Sequence, residues 1–406
     1  MEDGTHPPVG RDRELAMSVT AAAGFRAHGV ACGIKESGEL DLSIVATHDG
    51  LPVSATAVFT QNKMTAAPVI ITSAHLLLSG GQAAAVVLNS GCANAATGPP
   101  GVADAERMTE LVAAELGCAP HEVLVCSTGL IGYSLPMEAI AGGMVDLVAG
   151  LNSSPAGAIA AAEAICTTDT HRKEAVVRGP GFVVGGMAKG AAMLAPNMAT
   201  MLAVITTDVA LAAPALTEVL RAAVAASFNS ISSDGCTSTN DTVILLASGL
   251  AGPPTDMAAF AGAVAEVCLD LATQMVGDAE GHTKVVRVKV TGAASDDDAR
   301  AGARQVAESQ LVKCSWYGKD PYWGRIASEL GAAGIVFEPE RLTVRYGELI
   351  VAEGGVTAAV DPVAIAAYMD QEWIEVTAHL GLGDGRAQIL TNDLTHAYID
   401  ENMGTS

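Results

Sequence analysis

Apolar residues recur at positions 102, 105, 108, 111, 112 and 116, the spacing that puts them on one face of a helix. That run stops at Gly117, a residue suited to the left-handed position after a helix. Met257, Phe260, Val264, Val267, Leu271 and Met275 likewise share one face of a helix predicted over 255–276, and an Ala-rich helix is predicted over 155–166. Short β-rich runs at 41–45, 55–60, 83–88, 123–126 and 201–207 read as strands bounded by turn residues. At 286–290, valines alternate with Arg287 and Lys289, which predicts a strand with one face in the core and one in solvent. A helix opening near Pro214, a charged helix over 296–312, and strands near 341–353 and 373–379 complete the pattern. Alternating helices and strands predict a mixed α/β chain of layered sheets and helices.

Residues 1–18 are polar and proline-bearing, and read as a loose leader. No repeat of fixed period is present: Thr-Thr-Asp occurs at 167 and again at 206, in unrelated surroundings. No Gly/Ser-rich linker separates the halves, which predicts one intimately packed body. The chain has 406 residues, half of them hydrophobic but only 4% aromatic, so its core must be built from many small, closely packed side chains.

A net charge of −23 argues against nucleic acid or an anionic membrane surface as partner. It also requires local cations wherever an anionic substrate binds. Eight scattered cysteines without C-x-x-C spacing read as mostly buried thiols, and no His or Cys set has metal-ligand spacing, so no metal and no cofactor is implied. The start lacks a secretory signal pattern, and no run reads as long and apolar enough to cross a bilayer. A cytoplasmic protein is the expectation.

The chemistry-bearing stretch is a small-residue segment, 185–200, running into the predicted strand at 201. A cut between Ala199 and Thr200 would leave a threonine with a free α-amine at a strand start. Threonine is a poor nucleophile without a base, and an α-amine with a pKa near 8 can serve as one. Before the cut, the same hydroxyl can attack the Ala199 carbonyl, giving an ester that water opens. Taken alone, an Ala-Thr pair at a strand start is an ordinary structural feature. Ser127-Thr128-Gly129 follows a strand and offers a hydroxyl and backbone N–H groups for an oxyanion, though it also reads as a simple turn. Lys189 sits among glycines, but Gly190 follows it where a phosphate loop needs Ser or Thr, which excludes nucleotide binding. By residue type alone, Lys189 is a surface cation, Thr167 a capping hydroxyl and Glu280 an exposed acid. Asn240 and Asp241 read as internal structural residues, and His282 as structural.

The segment Gly186-Met-Ala-Lys-Gly-x-x-Met-Leu-x-Pro-Asn-Met-Ala-Thr-Met-Leu202 closely resembles the signature of the ornithine acetyltransferase (glutamate N-acetyltransferase) family. The resemblance spans nearly the whole chain. It includes Ala23-Gly-Phe-Arg, Gly33-Ile-Lys, Val58-Phe-Thr with Asn62, Asn89-Ser-Gly, Ser127-Thr-Gly, Thr167-Thr-Asp, Ser238-Thr-Asn-Asp-Thr-Val, Ala279-Glu-Gly-x-Thr-Lys, Leu394-Thr-x-Ala-Tyr and Glu401-Asn402.

It implies a self-cleaving N-terminal-nucleophile acyltransferase with an α chain of residues 1–199 and a β chain of 200–406. Thr200 is then the nucleophile, Thr128 and Gly129 the oxyanion hole, and Thr167, Lys189, Thr200, Glu280, Asn402 and Ser406 the substrate contacts. The implied reaction is ping-pong acetyl transfer from N-acetylornithine to glutamate, with acetyl-CoA a further donor in some members. Assembly as two α and two β chains is implied too. An aminopeptidase or amidase of similar design, or a specialised-metabolism acyltransferase, is the alternative. The sequence departs from the family at Ala22, where proline is common, at Tyr322, where asparagine is usual, and in a shorter tail without its tyrosine.

Overall fold

The computed structural model describes residues 17–195 and 201–404, so the leader to residue 16, Ala199, Thr200 and Ser406 lie outside the described residues. The described chain forms two compact units, one of residues 17–229 and 236–278, the other of 230–235 and 279–404. The division therefore falls near residue 279 and not at 199/200, and the larger unit takes in chain from both sides of that junction.

The larger unit is built as helix, sheet, sheet, helix. One sheet orders Phe25–Val30, Leu42–Thr47, Ala85–Asn89 and Val123–Ser127. The other orders Gln82–Ala83, Val53–Phe59, Thr242–Gly252, Leu202–Val209, Phe182–Lys189 and Lys173–Gly179. Side chains of both sheets meet in one core, with Phe25, Val45, Val86 and Leu124 from the first and Met187, Leu202, Val204, Ile244 and Leu246 from the second. The outer face of the first sheet packs on Gly98–Leu116 and Met137–Ala149, and that of the second on Ala213–Ala226 and Met257–Val276. Strands covered on both faces need no polar alternation: every residue of Leu202–Val209 and of Ala85–Asn89 is buried.

The aromatic-poor composition finds its use in close approaches. A Cβ at Gly29 would lie 2.1 Å from the Ala160 carbonyl oxygen, so the helix Pro155–Ala164 can touch the strand backbone. Gly117 closes the helix Gly98–Leu116 at φ +76° with its N–H on the Ala113 carbonyl, the left-handed cap the sequence predicts.

In the smaller unit, a seven-stranded sheet orders Ile231–Ser232, Gly385–Asn392, Val285–Ala293, Trp373–His379, Thr343–Tyr346, Leu349–Glu353 and Val356–Thr357. Its core gathers Val286, Val288 and Val290 with Trp316 and Tyr346. Arg287 and Lys289 are half-buried instead of solvated, and Lys289 lies 2.6 Å from Glu375 on the neighbouring strand.

Three expectations are corrected. The helix over 296–312 is two helices, Asp296–Glu308 and Gln310–Tyr317, because Ser309 takes an extended backbone and caps the second. The helix Met257–Val276 is, by length and composition, apolar enough to cross a bilayer; half of it is buried inside the fold, through Phe260, Val264, Val267, Leu271 and Met275. Of the cysteines, Cys92, Cys126 and Cys268 are buried, Cys236 and Cys314 are exposed, and the other three lie between.

Candidate active site

The oxyanion candidate sits where the strand Val123–Ser127 runs out beside Ala85–Asn89. The Thr128 N–H donates to the Asn89 carbonyl at 2.9 Å, so what this residue can offer a ligand is its hydroxyl. Gly129 has φ +129°, and a Cβ there would lie 2.3 Å from the Gly91 carbonyl carbon and 2.6 Å from Cys92 N. Only glycine fits, and its backbone is pressed against the 91–92 peptide. Asn240 locks this turn from the other sheet: its Nδ2 donates to the Ser127 carbonyl at 2.9 Å and to the Ala93 carbonyl at 2.6 Å. The internal role read for Asn240 thus takes the form of a brace between the two sheets.

Lys189 ends the strand Phe182–Lys189, in antiparallel register with Leu202. The chain from 190 to 201 therefore leaves and re-enters the sheet at neighbouring positions. At the re-entry, the Met201 N–H donates to Asp241 Oδ1 at 2.9 Å and its carbonyl accepts from the Thr242 N–H at 3.2 Å. Both peptide groups of the residue after Thr200 are thereby fixed. Leu202 also pairs in parallel register with Thr242.

Asp169, whose side chain is completely buried, gathers the other candidates. Its Oδ2 accepts from the Thr167 N–H at 3.0 Å and lies 3.8 Å from Lys189 Nζ; its Oδ1 accepts from the Gly190 N–H at 2.6 Å and from Lys173 Nζ at 2.6 Å. Lys173 is itself fully buried and reaches Asp278 Oδ2 at 2.5 Å. Asp278 also accepts from the Thr170 hydroxyl and faces His171 Nδ1 at 3.2 Å. Burial alone would push the Asp169 carboxyl up, but Lys189 and Lys173 outweigh it and hold the group below the usual carboxylate range. Burial works to lower Lys173, and the two carboxylates reverse it, raising the ammonium above its ordinary value. Lys189, read from sequence as a surface cation, is 2% exposed.

In the smaller unit Glu280 and Asn402 touch: Asn402 Nδ2 donates to Glu280 Oε2 at 2.9 Å. Gly281 makes this approach feasible, since a Cβ there would lie 2.2 Å from Tyr398 N at the helix His396–Glu401. His282 Nδ1 bonds the Ala279 carbonyl at 2.5 Å within the same turn. Tyr322 is 55% exposed and occupies the position before the helix Trp323–Ala332, without a side-chain hydrogen bond to the helix end.

The structure thus gathers Thr128, Gly129, Thr167 and Lys189 in one unit and pairs Glu280 with Asn402 in the other. Sequence reading missed Asp169, Lys173, Asp278 and the hydrogen bond of Asp241. Asp169 was in view within the Thr-Thr-Asp motif, whereas Arg172-Lys173-Glu174 looks like a solvated charge run. The motif Gly33-Ile-Lys also gains a reason: Asp41 accepts the N–H groups of Cys32, Gly33, Ile34 and Lys35 at 2.6–3.1 Å.

Layered α/β units that bury both a hydroxyl-bearing turn and a lysine–carboxylate cluster form the framework of an enzyme. The model of the ArgJ family matches residues 26–404, and the chain belongs to that family. It is an enzyme of the glutamate N-acetyltransferase (ornithine acetyltransferase) class. The arginine biosynthesis bifunctional protein ArgJ of Mycobacterium tuberculosis is 47% identical over 397 residues, covering 96% of this chain and 97% of its own. That of Thermobifida fusca is 46% identical over 390 residues, covering 96% and 100%. Among solved structures, ornithine acetyltransferase complexed with ornithine from Mycobacterium tuberculosis matches 44% of this chain and 94% of its own at 44% identity and a TM-score of 0.40. The ArgJ protein of Bacillus halodurans matches 48% and 95% at 34% identity and a TM-score of 0.47.

Proposed function

We propose that the chain cleaves itself between Ala199 and Thr200 and then carries an acetyl group on Thr200 from N-acetylornithine to glutamate. The observation that supports this most directly is the fixed re-entry at Met201, one residue past the proposed nucleophile, with Lys189 in register with the next residue, Leu202. A nucleophile works only when held within a few tenths of an ångström of its target.

In this reading the Thr200 hydroxyl attacks the Ala199 carbonyl, the nitrogen of the broken peptide becomes the free α-amine, and water hydrolyses the resulting ester. In turnover, the hydroxyl attacks the acetyl carbonyl and the α-amine takes its proton. The Thr128 hydroxyl and the Gly129 backbone stabilise the oxyanion. Ornithine leaves with the proton, and the glutamate amine attacks the acetyl-threonine. Lys189 supplies the positive charge that draws a substrate carboxylate into a protein of net charge −23. Thr167, Glu280, Asn402 and Ser406 are the remaining proposed contacts, Glu280 facing a substrate amine. The relatives' designation as bifunctional favours acetyl-CoA as a second donor. Assembly as two α and two β chains and a cytoplasmic location are proposed with it.

The test is an initial-rate study with both substrates varied. Parallel double-reciprocal lines and acetyl recovered on Thr200 after incubation with N-acetylornithine alone are expected. Hydrolysis without transfer to glutamate would point instead to an amidase. Lys189→Met should raise the KM for carboxylate substrates on the order of 10²-fold. The fold should persist, because Lys173 still holds Asp169 at 2.6 Å; a KM within threefold of wild type would remove Lys189 from the site. Gly129→Ala should lower kcat on the order of 10²-fold, by displacing the 91–92 peptide or the oxyanion donor. Unchanged kcat in a folded variant would place the oxyanion elsewhere.

A further inference from the structure

Asp241 sits at the start of the strand Thr242–Gly252 with no solvent exposure. Its backbone carbonyl accepts from the Thr60 N–H at 3.0 Å, and its Oδ1 accepts from the Met201 N–H at 2.9 Å. Its Oδ2 is buried with no hydrogen-bond partner, and no cation lies within salt-bridge distance among the described residues. An ionised carboxylate in that setting would carry a full charge against one backbone N–H, the Ser238 hydroxyl and a lysine beyond salt-bridge distance, which is too little to offset its lost hydration. The contrast is Asp169, whose side chain is equally out of solvent but holds two backbone N–H groups and two lysines.

We propose that Asp241 works as an uncharged carboxylic acid, a positioning residue that holds the first peptide after Thr200 through its Oδ1 acceptor. Oδ2 carries the proton. Burial drives the carboxyl well above its ordinary range, against the Met201 N–H, the Ser238 hydroxyl and the charge of Lys189, each of which favours ionisation. Lys189 ends the strand Phe182–Lys189, which Leu202–Val209 separates from Thr242–Gly252, and it is the charged side chain whose field reaches Asp241. A neutral acid leaves that lysine's charge available for a substrate carboxylate, whereas an ionised Asp241 would compete for it. The link to catalysis rests on the cleavage and transfer proposed above; the protonation state does not.

Two variants separate the possibilities. Asp241→Asn keeps the Oδ1 acceptor and places an N–H donor where the acid has its O–H; Asp241→Ala removes both. The Ala variant is expected to slow self-cleavage at least tenfold, followed by intact mass, and the Asn variant to restore the rate to within about threefold of wild type. The sign of the stability effect follows from proton uptake. If Asp241 is protonated in the folded chain at pH 7 and ionised in the unfolded one, its own contribution to stability falls as pH rises above about 4. The Asn variant has no such dependence. Its melting temperature should match wild type near pH 4 and exceed it by roughly 3 °C or more at pH 8.

Overturning results are an Asn variant that is folded yet as slow to cleave as Ala, or one whose melting temperature falls below wild type as pH rises. If neither wild type nor variants cleave, the cleavage reading fails, while the stability comparison still decides the charge of Asp241.

Discussion

Thr200→Ala is expected to yield an uncut chain of 406 residues with acetyl transfer reduced on the order of 10⁴-fold or more. Wild-type protein is expected to give two masses, one ending at Ala199 and one beginning at Thr200. The magnitude follows from the double use of one residue. Removing its hydroxyl abolishes the attack on the Ala199 carbonyl, so the α-amine that should serve as base is never released, and removes the atom that carries the acetyl group. What survives is binding and the oxyanion turn, neither of which forms a covalent intermediate. The fold should be kept, since Met201 and the strand after it are held by Asp241 and Thr242 independently of the Thr200 side chain. Circular dichroism matching wild type, with a single full-length mass, is the expected pair of results. A single full-length mass from wild-type protein that nevertheless transfers acetyl would sink the mechanism.

Lys173→Met should destabilise the larger unit by about 3–5 kcal/mol, the usual cost of leaving a buried charge without its partner. Lys173 is the shared cation of Asp169 and Asp278, at 2.6 and 2.5 Å, and all three side chains are out of solvent. Deleting it leaves two buried carboxylates, of which Asp169 keeps the more distant Lys189 at 3.8 Å. Denaturant midpoints at constant slope measure the loss, and Asp278→Asn in the same background should return part of it. Asp169 has a lowered folded pKa, so its contribution is present above the unfolded value near 3.9 and is lost as pH falls through the folded value. Lys173 has a raised folded pKa, so its contribution is complete below the unfolded value near 10.4 and is lost as pH rises through the folded one. The stability gap between wild type and Lys173→Met should therefore be flat between about pH 5 and 9 and shrink towards acid. A gap below 1 kcal/mol at pH 7 would show that the cluster is solvated.

Much of the secondary structure was legible because its determinants are local. The 102–116 periodicity and Gly117 specify a helix and its end within a few residues, and the structure extends it only backwards, to Gly98. The charged 296–312 pattern failed at one residue, Ser309, whose side chain caps a new helix at the point where periodicity alone continues the old one. The candidate site was legible as motifs but not as contacts. Nothing near Lys173 in sequence says that it is buried, because Asp278 lies 105 residues away. Nor does the Asn240 side chain announce that it braces a turn whose last strand residue, Ser127, lies 113 residues earlier. Such pairs depend on sheet register, which is set by non-local pairing and by which faces are covered.

That register has a further consequence for a chain nicked at 199/200. Phe182–Lys189 and Lys173–Gly179 would belong to one fragment, Leu202–Val209 and Thr242–Gly252 to the other, and Val53–Phe59 on the far side to the first again. A pair of strands from the second fragment would be enclosed on both sides by strands of the first, with the hydrophobic core itself as the fragments' interface. Separating them would mean unfolding the sheet, so subunit dissociation and denaturation would be a single event. The nick, being hydrolytic, would also be one-way: a chain has to fold while continuous, and the mature molecule would persist by the barrier to coming apart rather than by any ready route to reassembly.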